Sequence, residues 1–174
     1  MSSNTKFAIG VTIPAVLIFA AAFMPWGHFP GGSTPFQGMQ SVFAGALEEA
    51  WTTTGWNGNI TVAAFVDLRM IHPVTLPNWL VVLAAASVAA LGWLKAASVW
   101  DAPSVVLFGL AGYGLLHAGF AFVALMAIDN GSAGVGSFLT ALAFVGILVI
   151  LVQQVRSPKT PSAPNQPLQP TGPA

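Results

Sequence analysis

The chain alternates between long apolar runs and shorter polar or proline-rich connections. Four runs are apolar enough to cross a bilayer, at about residues 7–24, 77–95, 103–128 and 135–155. A spanning helix needs roughly 20 mostly apolar residues. No Lys, Arg, Asp or Glu lies inside Phe7–Met24, Trp79–Leu94, Pro103–Ile128 or Val135–Val155. Helices of a soluble bundle would each carry a charged outer face, and these carry none. The pattern predicts an all-α membrane protein built on a four-helix transmembrane bundle, its membrane domain covering residues 1–156.

The first run has a rival reading. Lys6, the apolar stretch and Ala20-Ala21-Ala22 also fit a signal peptide with a cleavage site, and Pro14 would kink a spanning helix. The apolar run continues through Phe23 and Met24 to Trp26, a natural position for an interfacial anchor. We therefore expect an uncleaved first span.

Residues 25–76 form the one connection large enough for a fold outside the membrane. Pro25, Pro30, Gly31, Gly32 and Pro35 resist regular structure at its start. From Gly38 to Trp51, the residues Met39, Val42, Phe43, Ala46 and Leu47 fall at helical spacing and predict a short amphipathic helix. Asn57-Gly58 then separates two β-prone runs, Trp51–Thr54 and Asn59–Ile71. The second run alternates with period two, so a β-hairpin is expected across Asn57-Gly58, with Pro73 and Pro77 ending the pattern. Residues 157–174 carry a proline at every third position from Pro158 to Pro173 and predict a disordered tail.

Composition agrees with the pattern and narrows it. Of 174 residues only 6% are charged and 55% are hydrophobic. The mean hydropathy is +0.76. An average soluble domain is about 25% charged, so a soluble globule is excluded. Net charge is zero, which leaves no basic field to attract nucleic acid. The absence of cysteine removes disulfides, thiolate metal sites and thiol catalysis. Lys6, Lys95, Arg156 and Lys159 fall on one side of the four spans and Arg69 on the other. By the positive-inside rule, both termini are then cytoplasmic, in the plasma (inner) membrane, and residues 25–76 are extracytoplasmic.

His117 is the strongest single candidate for chemistry. It lies 14 residues beyond Pro103, about 21 Å along the third span. An ionisable group inside the membrane is a functional hypothesis by default. Its plainer role is an imidazole bonded to a neighbouring helix, with Ser87 or Thr140 as partner at workable depth. A proton relay or haem site would need a second group, which the spans do not offer. His28, His72, Glu48, Glu49 and Asp67 share the long connection without any recognised metal-ligand spacing. No catalytic, cofactor or metal site is therefore expected, and no enzyme. Ser87 with His117 is a single pair and not a constellation.

Small residues point to packing. Ala85 and Ala89 in the second span, Gly112 and Gly119 in the third and Gly136 in the fourth are expected to face the bundle interior, or else a second copy. Trp26, Trp79, Trp93 and Trp100 sit at predicted span ends as interfacial anchors. Trp56, at a turn tip, is the exception and suggests contact with a partner or the membrane surface.

With four spans, a β-hairpin after the first and the run Trp51…Gly55-Trp56, the layout is similar to that of claudin-like four-helix proteins. It also looks like small uncharacterised bacterial membrane proteins whose first helix closes on a Pro-Trp pair, here Pro25-Trp26. The long connection, Trp56, the small-residue faces and the lack of charge inside the spans point to a structural or interaction protein presenting an extracytoplasmic module, with the bilayer and another membrane or envelope protein as partners. The alternative expectation is a small transporter or channel component using His117.

Overall fold

The computed structural model describes residues 1–29, 51–57, 59–66, 69–126 and 132–156. The protein is mainly helical, with four helices long and apolar enough to cross a membrane. They are α1 (Ser3–Ala21), α2 (Trp79–Ala96), α3 (Ser104–Met126) and α4 (Val135–Arg156). Neighbours in sequence run antiparallel, and α4 closes the ring by packing on α1.

Helix bounds shift from the apolar runs for local reasons. Ser2 caps α1 by accepting from the Thr5 N–H at 3.1 Å, so the helix starts before the apolar run does. Pro14 lies inside α1 without ending it. Lys6, Lys95 and Arg156 are taken into the terminal turns of α1, α2 and α4, all at one end of the bundle. Lys95 pairs there with Asp101 at 2.8 Å.

The interior is apolar. Val11, Ile18, Val81, Val88, Ala111, Ala118, Phe144 and Ile147 are fully buried. The outward faces are apolar too: Ile13, Val16, Leu83, Val105, Leu116, Val123 and Val149 are all exposed. Helices with apolar cores and apolar outer faces have a hydrocarbon environment as their natural solvent.

The other end of the bundle carries two small sheets. One has the order β2-β1-β5, from β1 (Pro25–Phe29), β2 (Trp51–Thr54) and β5 (Ser132–Ala133). Trp26 therefore lies in the central strand, and residues 132–133, in the short connection before α4, add a third strand. The other sheet pairs β3 (Asn59–Val66) with β4 (Arg69–Pro77).

This pairing corrects the expected hairpin. Trp51–Thr54 does not pair with the run after Asn57-Gly58. It pairs with β1, from Pro25 opposite Thr54 to Phe29 opposite Trp51. The reason lies in the turn. Asn57 Oδ1 accepts from both the N–H and the Oγ1 of Thr54, each at 2.8 Å. The side chain that signalled a two-residue hairpin loop is spent closing residues 54–57 on themselves. The Gly55 N–H then donates to Ala22 O at 3.0 Å and turns the chain onto the end of α1.

The long alternating run instead folds back on itself, with Val66 opposite Arg69 and Asn59 opposite Pro77. Pro73 does not stop it, because it falls where the register shifts between Val62 and Ala64. A two-stranded ribbon has a free edge on each strand, where proline is tolerated. The helix expected from Gly38 lies outside the described residues except for Trp51, which belongs to β2. The tail at 157–174 lies outside them as well.

Two kinds of glycine separate on the helices. A Cβ on Gly136 would stand 2.6 Å from Trp26 Cδ1 and 2.8 Å from Ala21 O, and one on Gly114 would enter the Phe144 ring. Gly112 and Gly119 meet nothing within 4 Å. The expectation that these two line the interior is thereby corrected: within this chain they face outward. Ala85 is buried as expected, and Ala89 is half-buried. Gly136→Ala is expected to cost about 1–3 kcal/mol by overpacking. Gly112→Ala and Gly119→Ala should stay within about 0.5 kcal/mol of wild type. Unfolding in mixed micelles compares the three, and equal losses would contradict the packing described.

Candidate functional site

Where sheet and bundle meet, a chain of polar groups enters the apolar interior. Asn78 is the residue before α2, and its side chain does not cap its own helix. It is 3% exposed. Its Nδ2 donates to the Thr54 carbonyl at 3.1 Å, which turns Oδ1 towards α3. There His117 Nε2 lies 3.0 Å from Asn78 Oδ1, and His117 Nδ1 lies 3.2 Å from the Tyr113 hydroxyl.

The donor roles follow from the ends of the chain. A carbonyl oxygen only accepts, so Asn78 presents its NH₂ to Thr54 and its oxygen to His117. His117 then donates from Nε2, and its Nδ1 accepts from Tyr113. A neutral imidazole with its proton on Nε2 satisfies every partner. The three bonds join strand β2, the start of α2 and the interior face of α3.

Trp26 closes the site from β1. It is 1% exposed and meets His117 edge-on, with ring centroids 6.5 Å apart. Its Nε1 donates to Ala21 O at 3.3 Å. Its carbonyl accepts from the Gly134 N–H at 2.7 Å and from Ser137 Oγ at 3.1 Å. The expected interfacial anchor is thus a core residue, because β1 folds back over the bundle end instead of leaving it. Trp79, Trp93 and Trp100 do lie at helix ends and are 44%, 47% and 51% exposed, against 1% for Trp26. Trp93 Nε1 is nonetheless bonded inside the protein, to Thr12 Oγ1 at 3.0 Å.

His117 is buried, as its place in a span implied, but its partners are not those expected. Thr140 Oγ1 donates to Gly136 O in its own helix at 2.7 Å. Ser87 lies nine residues beyond Asn78, about 13 Å further along α2. His117 is therefore level with the start of α2, towards the sheet end of the bundle. Among the described residues its hydrogen-bond partners are Asn78 and Tyr113, with no serine, threonine or carboxylate between them. Of the connection residues weighed as metal ligands, His28 Nδ1 is bonded to Thr52 Oγ1 at 3.0 Å, and Glu48, Glu49 and Asp67 lie outside the described residues. Among the described residues no group of three metal-ligating side chains occurs.

Asn78, Tyr113 and Thr54 had not been singled out. Tyr113 was accessible to reasoning: it is the single tyrosine, four residues before His117 and so on the same helix face. Asn78, lodged between Pro77 and an apolar run, was a weaker signal.

The opposite end of the bundle opens into a cavity of about 640 Å³. Ser3, Asn4, Lys95 and Gln154 line it, above Phe7 and Leu151. Between it and the polar chain lie Val11, Val88, Phe144 and Ile147, all fully buried. No protein-family model matches the chain, and no curated protein or solved structure is significantly similar to it.

Proposed function

We propose that the protein is a non-enzymatic membrane scaffold that holds an extracytoplasmic β-module against the bilayer for recognition by another membrane or envelope protein. The bonded chain Thr54–Asn78–His117–Tyr113 carries this reading. It engages both nitrogens of the one intramembrane imidazole in tying the module to the bundle. The same bonds weigh against the transporter alternative, since His117 presents no free nitrogen to a pathway. Beyond His117 the bundle closes on Val11, Val88, Phe144 and Ile147, apolar side chains that do not solvate a permeating ion. The claudin-like layout fits an interaction role. The distribution of Lys and Arg supports cytoplasmic termini in the plasma membrane. The outward Gly112 and Gly119 leave room for self-association of the bundle.

The β3–β4 ribbon permits a clean test. It shares no ladder with the other sheet, and its ends are paired, Asn59 with Pro77. A short Gly/Ser linker replacing residues 59–76 therefore leaves Asn78 and strand β2 in place. The expected result is a bundle that inserts and unfolds as wild type but loses its membrane complexes on native gels. Unchanged complexes and an unchanged deletion phenotype would sink the proposal.

A further inference from the structure

We infer that the turn Gly55–Asn57 is seated in the interfacial layer of the bilayer, with Trp56 as its anchor, so that the occupant of this surface is lipid. The turn is held at that level by the protein itself. The Gly55 N–H donates to Ala22 O, and a Cβ at position 55 would stand 2.7 Å from Ala22 Cα. Only a glycine lets the turn lie this close to the last turn of α1.

From there Trp56 extends along the outside of α1. Its ring packs on Phe19 and Phe23, with centroids 5.7 Å and 5.5 Å apart. Phe19 is 52% and Phe23 63% exposed, and they continue an outward stripe from Val16 at helical spacing. α1 packs on α2 and α4 by its other faces. If α1 spans a bilayer, this stripe faces acyl chains, and an indole laid across its end sits at the same depth.

The chemistry of the indole fits that layer. The ring of Trp56 is partly covered by phenylalanine, while its Nε1 has no hydrogen-bond partner among the described residues. An amphipathic ring with an open N–H prefers the boundary where water and lipid carbonyls supply acceptors. Trp79 marks the same level independently. It is 44% exposed and follows Asn78, whose side chain is bonded to Thr54 in the strand leading into this turn. Trp56 and Trp79 thus form one aromatic belt, built partly from a connection and not only from span ends.

The natural chain has no cysteine, so Trp56→Cys gives full-length protein a single site for a nitroxide. In vesicles of phosphatidylcholine and phosphatidylglycerol, its collisions with oxygen and with a water-soluble nickel chelate report depth. Labels at Thr52→Cys, exposed on β2, and Phe19→Cys supply the aqueous and acyl-chain references. The label at 56 should be several-fold less accessible to nickel than that at 52, and less accessible to oxygen than that at 19. Trp56→Phe provides a second, milder measurement. The emission lost between wild type and this variant should be quenched more by lipids brominated near the headgroup than near the chain end. Nickel access equal to that at Thr52, with no bromine quenching, would overturn the inference and put the turn in water. Low access to both reagents with no quenching would also overturn it, in favour of a second copy or another protein covering Trp56.

Discussion

Asn78→Leu is expected to destabilise the full-length protein by about 2–4 kcal/mol, because it removes both hydrogen bonds of a buried side chain at once. The His117 Nε2–H loses its acceptor and the Thr54 carbonyl loses its donor. Interhelical hydrogen bonds in membranes average only about 0.6 kcal/mol, since an unfolded chain in lipid finds other partners. That discount is small here. Thr54, Asn78 and His117 come from three separate segments, and the one shift open to His117 is to carry its proton on Nδ1, towards the Tyr113 hydroxyl, which leaves Nε2 unpaired in an apolar site. His117→Leu should cost a similar amount by stranding Asn78 Oδ1 and the Tyr113 hydroxyl. The double variant Asn78→Leu/His117→Leu decides whether the chain acts as one unit. Its loss should fall short of the sum of the two single losses by about 1 kcal/mol or more. Denaturation in mixed micelles measures all three variants, and strict additivity would mean that the bonds do not cooperate.

The elements differed in how plainly the sequence announced them. The four spans were readable because a bilayer forces long uncharged runs on any helix that crosses it. His117 was readable as buried for the same reason. What it touches was not, because Asn78 lies 39 residues earlier and acts from outside its own helix. Strand pairing failed for a comparable cause. Asn57-Gly58 is a local signal, whereas the partner of β2 lies before it in β1, and β1 also pairs with residues more than a hundred positions later. The glycines of α3 show a third limit. Gly112 and Gly114 differ by two positions, about 200° around a helix. A count of small residues cannot say which one faces Phe144. Trp56 was visible as an exception to the anchoring pattern, and its position against Phe19 and Phe23 gives the exception a cause.

Trp26→Ala should be the most damaging tryptophan substitution, at about 3–5 kcal/mol, the usual cost of emptying a core site of this size. A tryptophan that merely marked the membrane boundary would cost far less, and exposed Trp79 and Trp100 serve as controls expected within about 1 kcal/mol of wild type. The difference follows from what Trp26 holds. Its ring fills the end of the bundle beside His117 and against Gly136. Its carbonyl binds Gly134 and Ser137 at the start of α4. Its N–H bonds Ala21 at the end of α1. Truncation empties the ring site and removes one of two donors to the Ala21 carbonyl, which keeps the Met24 N–H at 3.1 Å, while the main-chain bonds to α4 persist. The cavity should therefore dominate the loss. Trp26→Phe, which keeps a ring but drops the Nε1–H, should recover more than half of it. If Phe were no better than Ala, the bond to Ala21 would outweigh packing. If Trp26→Ala cost no more than Trp79→Ala, the sheet would not be fastened to the bundle through this side chain.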